Sequence, residues 1–191
     1  MTFETSLELL KFHNVVYTIY ALLIISIIAW FGYNLTRTEK VKPIVRIPFY
    51  GYIAFLVAGG VGHHIFTYNT IPWVAQDITR HEITPDRTYN VEVADHKFKL
   101  PHKKMVAKKG EKVYFNVTSK DVIYGFGLFR KDGSMVMQMQ VNPGSENDIL
   151  WTFNECGVFD LRSTEYSGPE GNGMFVKDAV EITGCNKGAT S

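Results

Sequence analysis

Thiols are scarce in this chain of 191 residues, where Cys156 and Cys185 are the only cysteines. Two are too few for a disulfide framework, and their spacing lacks the close C-x-x-C pairing of a zinc site, so at most one bridge can form. Imidazoles run out early: there are six histidines, His13, His63, His64, His81, His96 and His102, and none follows His102. Ser163 and Ser167 therefore have no downstream histidine to activate them. There is no G-x-S-x-G elbow either, and G-P-E-G at 168–171 carries no oxyanion signature, so the serines do not read as nucleophiles. Glu165 and Glu170 in the same stretch read as solvated loop carboxylates. A charge excess is also missing, since 20 basic residues face 19 acidic ones, and nothing global points to nucleic acid or an acidic substrate. With 46% hydrophobic and 14% aromatic residues, disorder is excluded.

The first third has long apolar runs. VVYTIYALLIISIIAWFGY, Val15 to Tyr33, is 19 residues without a charge. At about 1.5 Å per residue it nearly matches a hydrocarbon layer of roughly 30 Å, which predicts a transmembrane helix. It is longer than a signal-peptide core, has no basic stretch before it and no prompt A-x-A-like site after it, so it is expected to stay in the mature protein. A second uncharged run extends from Ile47 to Asn69, with Pro48 at its start and Gly59, Gly60 and Gly62 offering a close-packing face. The two predict a helical hairpin. Its loop carries Arg37, Lys40, Lys42 and Arg46 against Glu39, which puts the loop in the cytoplasm and both termini outside. Residues from about Trp73 onward would then lie in a bacterial periplasm, or on the outer face of a single membrane, where a disulfide is permitted. His63 and His64, in the last turns of the second helix, admit two readings: half-hydrated side chains at headgroup level, or contacts to a quinol or a proton relay.

After Asp77 the period becomes two. Tyr89, Val91 and Val93 alternate with Asn90, Glu92 and Ala94, and Val113, Phe115 and Val117 with Tyr114, Asn116 and Thr118. The pattern returns in Met135, Met137, Met139 and Val141, then in Ile149, Trp151 and Phe153. Turn signals fall at Lys109-Gly110, Asp132-Gly133 and Asn142-Pro143-Gly144. These are half-buried strands of an antiparallel sandwich or barrel. The methionine stripe admits Cu(I) handling or plain core packing.

RSTEYSGPEGNGM, 162–174, has the cadence of a metal-binding loop: two small residues four apart, a Gly after the second, and a Met seven beyond it. Together with VTSKDVIYGFGL (117–128), MQVNPGSENDILWTF (139–153) and CGVFDLRSTEYSGPEGNGM (156–174), it resembles subunit II of the haem-copper oxygen reductases (the cytochrome c oxidase superfamily), in particular the B-type branch. The resemblance covers most of 85–183. It departs in the membrane part, since B-type subunits II commonly carry one helix and the A-type branch a hairpin. It implies an N-terminal transmembrane hairpin (1–72), a linker (73–84), an all-β cupredoxin-like Greek-key sandwich (85–183) and a C-terminal tail (184–191).

In that family the domain holds CuA, a dinuclear copper centre fed by cytochrome c, with ligands in D-V-x-H-G/S-F and C-x-E/Q-x-C-G-x-x-H-x-x-M. Carried across, the first His falls on Tyr124, the cysteines on Ser163 and Ser167, the carbonyl on Glu165, the second His on Gly171 and the Met on Met174. Two coppers sharing an electron need bridging thiolates, and a serine hydroxyl is hard and un-ionised near neutral pH. Met174 alone cannot hold copper, and with no histidine beyond His102 another imidazole is not expected to reach the loop. Gly168, Gly171 and Gly173 are expected to supply left-handed turns, with Met174 and Phe175 packing beneath them. Glu165 has at most a part in an interface metal such as Mg²⁺. Where the family carries a Trp-rich patch, this chain has Phe98 amid Lys97, Lys99, Lys103, Lys104, Lys108 and Lys109, either a face that repels a basic cytochrome c or a solvated surface.

The resemblance thus implies a non-catalytic subunit II of a membrane respiratory complex that takes electrons from quinol. The chain itself would hold no cofactor, with haem and copper in the partner catalytic subunit, and would dock no soluble cytochrome c. Reduction of O₂ and of NO by the partner are both open. A different class, a free-standing membrane-anchored binding or assembly protein, is weighed against by the small-residue face and the two intramembrane histidines, which a mere tether does not need. A bridge between Cys156 and Cys185 is the remaining expectation.

Overall fold

The computed structural model describes residues 2–38 and 48–185. Glu39, Lys40, Lys42 and Arg46, on which the expected orientation rests, lie outside the described residues, as do Ile47 and residues 186–191 of the expected tail.

Helix α1 (Ser6–Leu35) starts well before Val15 because Thr5 caps it. The Thr5 hydroxyl accepts the Glu8 N–H at 3.3 Å and the Glu8 carboxylate accepts the Glu4 N–H at 2.9 Å, a T-x-x-E start signal ahead of the apolar run. Helix α2 (Phe49–Thr70) begins directly after Pro48. Both are long and apolar enough to cross a membrane, and the apolar stretch of neither is buried in the protein, unlike a core helix. Gly59, Gly60 and Gly62 face open space. The segment that precedes α1 reaches the end of α2, where the Phe3 N–H donates to the Thr70 carbonyl at 3.1 Å.

The expected linker is folded. Pro72 opens a short helix, α3 (Pro72–Ile78), and a 3-10 turn follows over Arg80–Glu82.

Among the described residues nine strands form a two-sheet, cupredoxin-like sandwich. They are β1 (Arg87–Ala94), β2 (Lys97–Lys99), β3 (Met105–Lys108), β4 (Lys112–Ser119), β5 (Tyr124–Phe129), β6 (Met135–Val141), β7 (Asp148–Thr152), β8 (Gly157–Arg162) and β9 (Phe175–Thr183). One sheet runs β2-β1-β4-β7 and the other β3-β9-β8-β5-β6. The antiparallel expectation fails at two pairs: β1 lies parallel to β4 and β3 parallel to β9. Periodicity reports which face a strand buries, not which neighbour it joins, so this was out of its reach.

Tyr89, Val91, Val93, Val113, Phe115 and Val117 are buried as their alternation requires. Phe115 gathers the aromatic core, with ring centroids 5.3 Å from Phe126, 6.0 Å from Tyr89 and 6.4 Å from Phe153. Each such ring contributes about 1.5–3 kcal/mol by burial. Met137 and Met139 pack on this core as the packing reading has it. Met135 does not, because a bulge at Leu128/Phe129 shifts the register and buries Val136 instead.

Strand β7 also departs from alternation. Leu150 is as buried as Ile149 and Trp151, because α3 and the turn after it cover the strand's other face. Trp73 packs on Trp151 with centroids 5.4 Å apart, Gln76 donates to the Thr152 hydroxyl at 2.7 Å, and Arg80 Nε donates to Asp148 Oδ2 at 2.5 Å. The start of α1 is tied in as well. Buried Arg130 donates to the Ser6 hydroxyl at 2.8 Å and to the Met135 carbonyl at 3.0 Å while paired with Glu155, and Asn154 donates to the Glu4 carbonyl at 2.8 Å.

Burial alone would raise the Asp148 pKa, but hydrogen bonds from Arg80 and Tyr114 outweigh it and hold it below the usual carboxylate value. Burial and the same carboxylate push the Tyr114 phenol up to about 12. A depressed folded pKa contributes stability that is present above the unfolded value, about 3.9, and is lost as pH falls through the folded one. Asp148→Asn is therefore expected to lower stability at pH 7 by about 1.5–3 kcal/mol and to flatten the loss of stability as pH falls below about 4. Chemical denaturation of wild type and variant across that range, in detergent, is the check, and parallel profiles would refute it.

Candidate functional site

The loop that leaves β8 at residue 163 crosses β5 and returns through a 3-10 turn, Pro169–Gly173, into β9. It lies where it does because β5 reads Y-G-F-G. A β-carbon at Gly125 would collide with the Thr164 hydroxyl and backbone, and one at Gly127 with the Thr164 methyl. Two missing side chains therefore make the seat. The loop is then fastened by its own polar groups. Ser163 Oγ accepts the Gly125 N–H at 3.1 Å and donates to the Glu165 carbonyl at 3.3 Å, and the Ser163 N–H donates to the Met174 carbonyl at 3.2 Å. The Thr164 hydroxyl oxygen is buried without a partner.

Of the three glycines, only Gly168 adopts a left-handed angle, φ 93°. Gly171 is needed for another reason, since a β-carbon there would collide with Ser167 Oγ. Gly173 faces open space, and nothing in the structure explains it. Met174 is buried, with the Ser167 hydroxyl 3.9 Å from its sulfur, but Phe175 is half exposed. The Phe175 ring shares the Arg162 guanidinium with Phe129, at 5.6 and 5.5 Å. Beside them a cleft of about 750 Å³ opens, lined in part by Arg162, Thr164, Tyr166 and Asn172.

Tyr124 is wholly buried at the head of β5. Its hydroxyl donates to Asp121 Oδ2 at 2.9 Å and accepts the His96 backbone N–H at 3.2 Å. Burial pushes the phenol pKa up, and Asp121 adds to the rise. Burial would raise Asp121 too, but the Asp95 and Val122 amides and the Tyr124 hydroxyl together bring it below the ordinary value.

The expectation that no other imidazole reaches the loop is overturned. His96, at the turn between β1 and β2, stands edge-on to Tyr124 with centroids 5.7 Å apart. Its Nε2 lies 2.7 Å from the Ser167 carbonyl, and its Nδ1 lies 3.5 Å from Glu170 Oε2. Sequence reading counted histidines after the loop, whereas the parallel pairing of β1 with β4 carries the β1–β2 turn to the loop from another part of the chain. A visible signal was the Asp95-His96 pair at a two-residue hairpin turn, where Asn-Gly is the common choice.

The structure thus gathers Tyr124, Ser163, Glu165, Ser167, Gly171 and Met174 in and around one loop and adds His96, Asp121 and Glu170. His63 and His64 stay on α2, rings 6.0 Å apart, and among the described residues neither contacts this loop. Cys156 and Cys185 are disulfide-bonded, with Cα atoms 6.1 Å apart, tying the β7–β8 turn to the end of β9. The lysine stretch is partly neutralised, since Lys99 pairs with Glu92 at 2.8 Å and Lys104 with Glu181 at 2.9 Å, while Phe98 packs inward on Phe126.

Gly125→Val is expected to unseat the loop at a cost of about 1–3 kcal/mol. Limited proteolysis at Glu165 and Glu170 should then accelerate while the β4 core stays folded, and an unchanged cleavage rate would count against the seat.

No protein-family model matches this chain, and no curated protein matches it in sequence. Solved structures of similar fold include the periplasmic domain of subunit II of cytochrome oxidase (CoxB) of Bradyrhizobium japonicum, 18% identical, covering 53% of this chain and 86% of that one at a TM-score of 0.40. Auracyanin B is 14% identical over 53% of this chain and 92% of its own, TM-score 0.44. A chain of a heme-copper terminal oxidase dimer is 16% identical over 91% of this chain and 98% of its own, TM-score 0.41. At this identity and superposition the site has to be read from its own geometry.

Proposed function

We propose that the chain is a non-catalytic subunit II of a membrane haem-copper oxidoreductase that oxidises quinol and reduces O₂, with a cupredoxin-like domain that holds no CuA. The observation that carries this reading is the occupation of the ligand positions. Tyr124 is committed to Asp121 and His96, Ser163 to Gly125 and Glu165, and the Ser167 hydroxyl fills the space beside Gly171. A phenol, two hydroxyls and one thioether do not fit a pair of coppers, which need soft bridging thiolates. Among the described residues no three His, Cys, Asp or Glu side chains converge to replace them. An electron delivered to this domain would have no centre to occupy, so a donor inside the membrane is the simplest source.

Two further features support the assignment. The disulfide suits an oxidising compartment, which favours the periplasmic or outer side for the sandwich. The unburied apolar faces of α1 and α2, with Gly59, Gly60 and Gly62 uncovered, suit a large partner subunit better than a tether for a free-standing protein.

The purified complex is expected to consume O₂ with quinol as donor and to be indifferent to reduced soluble cytochrome c. NO consumption measured alongside separates an oxidase from a nitric oxide reductase. Rapid turnover with cytochrome c as sole donor, without a haem c subunit, would overturn the reading. Metal analysis is expected to find no copper beyond that of the catalytic subunit, and a mixed-valence near-infrared band in this chain would refute the loss of CuA. His63→Leu and His64→Leu give a graded test of quinol contact: a raised KM supports it, and unchanged kinetics assign the quinol site wholly to the partner.

A further inference from the structure

We propose that His96 is a metal-free clasp, fastening loop 163–174 to β5 through Tyr124. The proposal stands on geometry alone and goes beyond the assignment to a quinol-oxidising complex.

The clasp has two ends. At one, the His96 backbone N–H donates to the Tyr124 hydroxyl at 3.2 Å, which ties it to β5. At the other, the ring Nε2 meets the Ser167 carbonyl at 2.7 Å, in the middle of the loop. A carbonyl only accepts, so Nε2 carries the proton and donates. That leaves Nδ1 facing Glu170 at 3.5 Å, on the 3-10 turn of the same loop. One residue thus touches β5, the loop and its turn.

The turn that carries His96 is held by its neighbours. Asp95 and His96 adopt φ of 50° and 56°, the positive pair that a two-residue hairpin between Ala94 and Lys97 requires and that Asp and His tolerate better than most residues. Here Asp121 supplies one restraint, accepting the Asp95 N–H at 2.9 Å, and Tyr124 the other. A histidine at a hairpin tip would ordinarily point to solvent, yet this side chain is only 24% exposed.

Position 171 completes the case. A β-carbon built there would collide with Ser167 Oγ, while His96 Cδ2 would lie 3.8 Å away, an ordinary contact, so the imidazole packs beside the loop at this position. His96 and Glu170 offer two donors to a metal, and among the described residues no third such group joins them. The arrangement is a tie between chain segments.

Hydrogen–deuterium exchange on the full chain in nanodiscs tests this, read at the amides of residues 167–174 with residues 113–117 of β4 as the internal reference. His96→Ala is expected to speed loop exchange by about tenfold or more and leave β4 unchanged, whereas His96→Gln, which can still donate to Ser167, should keep most of the protection. Tyr124→Phe removes the other link. If the two links act in series, His96→Ala/Tyr124→Phe should exchange no faster than His96→Ala alone. Loop exchange in His96→Ala within about twofold of wild type, or effects that multiply in the double variant, would overturn the clasp. Should His96→Ala not fold, Tyr124→Phe against His96→Gln decides: loosening by the first and retention by the second support the clasp, and no loosening by Tyr124→Phe refutes it.

Discussion

The loop end of the sandwich is organised by one buried hydroxyl. Tyr124 is sealed in the core at the head of β5, and a buried phenol must find hydrogen-bond partners or lose about 1–3 kcal/mol. The partners come from two directions: Asp121 from the segment that precedes β5, and the amide of His96 from the turn after β1. Satisfying the phenol therefore draws three separate pieces of chain together. The loop from 163 then rests on what they form, with its Ser163 hydroxyl turned to Gly125 and Glu165 and its Ser167 carbonyl turned to the His96 ring. Without that hydroxyl, Asp121 and His96 would each lose a partner, and the loop would keep its seat and its Ser163 contacts but lose a support of the turn that carries His96.

The other end is organised by charge. Arg130, with its side chain only 10% exposed, divides its donors among Ser6, Ser134, Met135 and Glu155, so the first turn of α1 is held by the sandwich. Asp148 does the same for the segment after α2 through Arg80. Both apolar helices thus enter the β domain through a partly buried ion pair. Buried pairs are weak evidence for stability, but removing one partner is costly, so their effect is to fix one arrangement against others.

Much of this architecture was legible in the sequence, and the exceptions share a physical cause. Uncharged runs near 20 residues and period-two strands register single elements against lipid or core, and those readings agree with α1, α2, β1 and β4. What depends on a neighbour was hidden. Nothing in IPWVAQDITR says that it will cover β7, so Leu150 looked like a solvent position. Val136 displaced Met135 from the core because a bulge in β6, opposite Leu128 and Phe129, shifted the register. His96 is the plainest case, since a count along the chain put it far from the loop, and only the parallel pairing of β1 with β4 closes that gap. The glycines were read as left-handed turns, which fits Gly168. Gly125, Gly127 and Gly171 serve instead by lacking a side chain, a use that no single-residue propensity reveals.

The same geometry lets the loop keep a fixed shape without metal ligands. Where a metal ties a loop to a sheet, its binding free energy is also folding free energy, and a chain that loses the ligands loses that contribution unless other contacts replace it. The disulfide cannot do so locally. Closing a span of 29 residues contributes roughly 3 kcal/mol in the chain-entropy model, but it acts at the β7–β8 turn, away from the loop. In this loop the contacts are made by the loop itself, and each position that the resemblance aligns with a ligand has a part in them. Tyr124 offers an acceptor where an imidazole would bind metal, Ser163 accepts an amide of β5, Ser167 fills the space over Gly171, and Met174 stays buried. Because every one of these groups is a structural partner of another, placing a metal ligand at Tyr124, Ser163, Ser167 or Gly171 would break a contact before it could hold a metal.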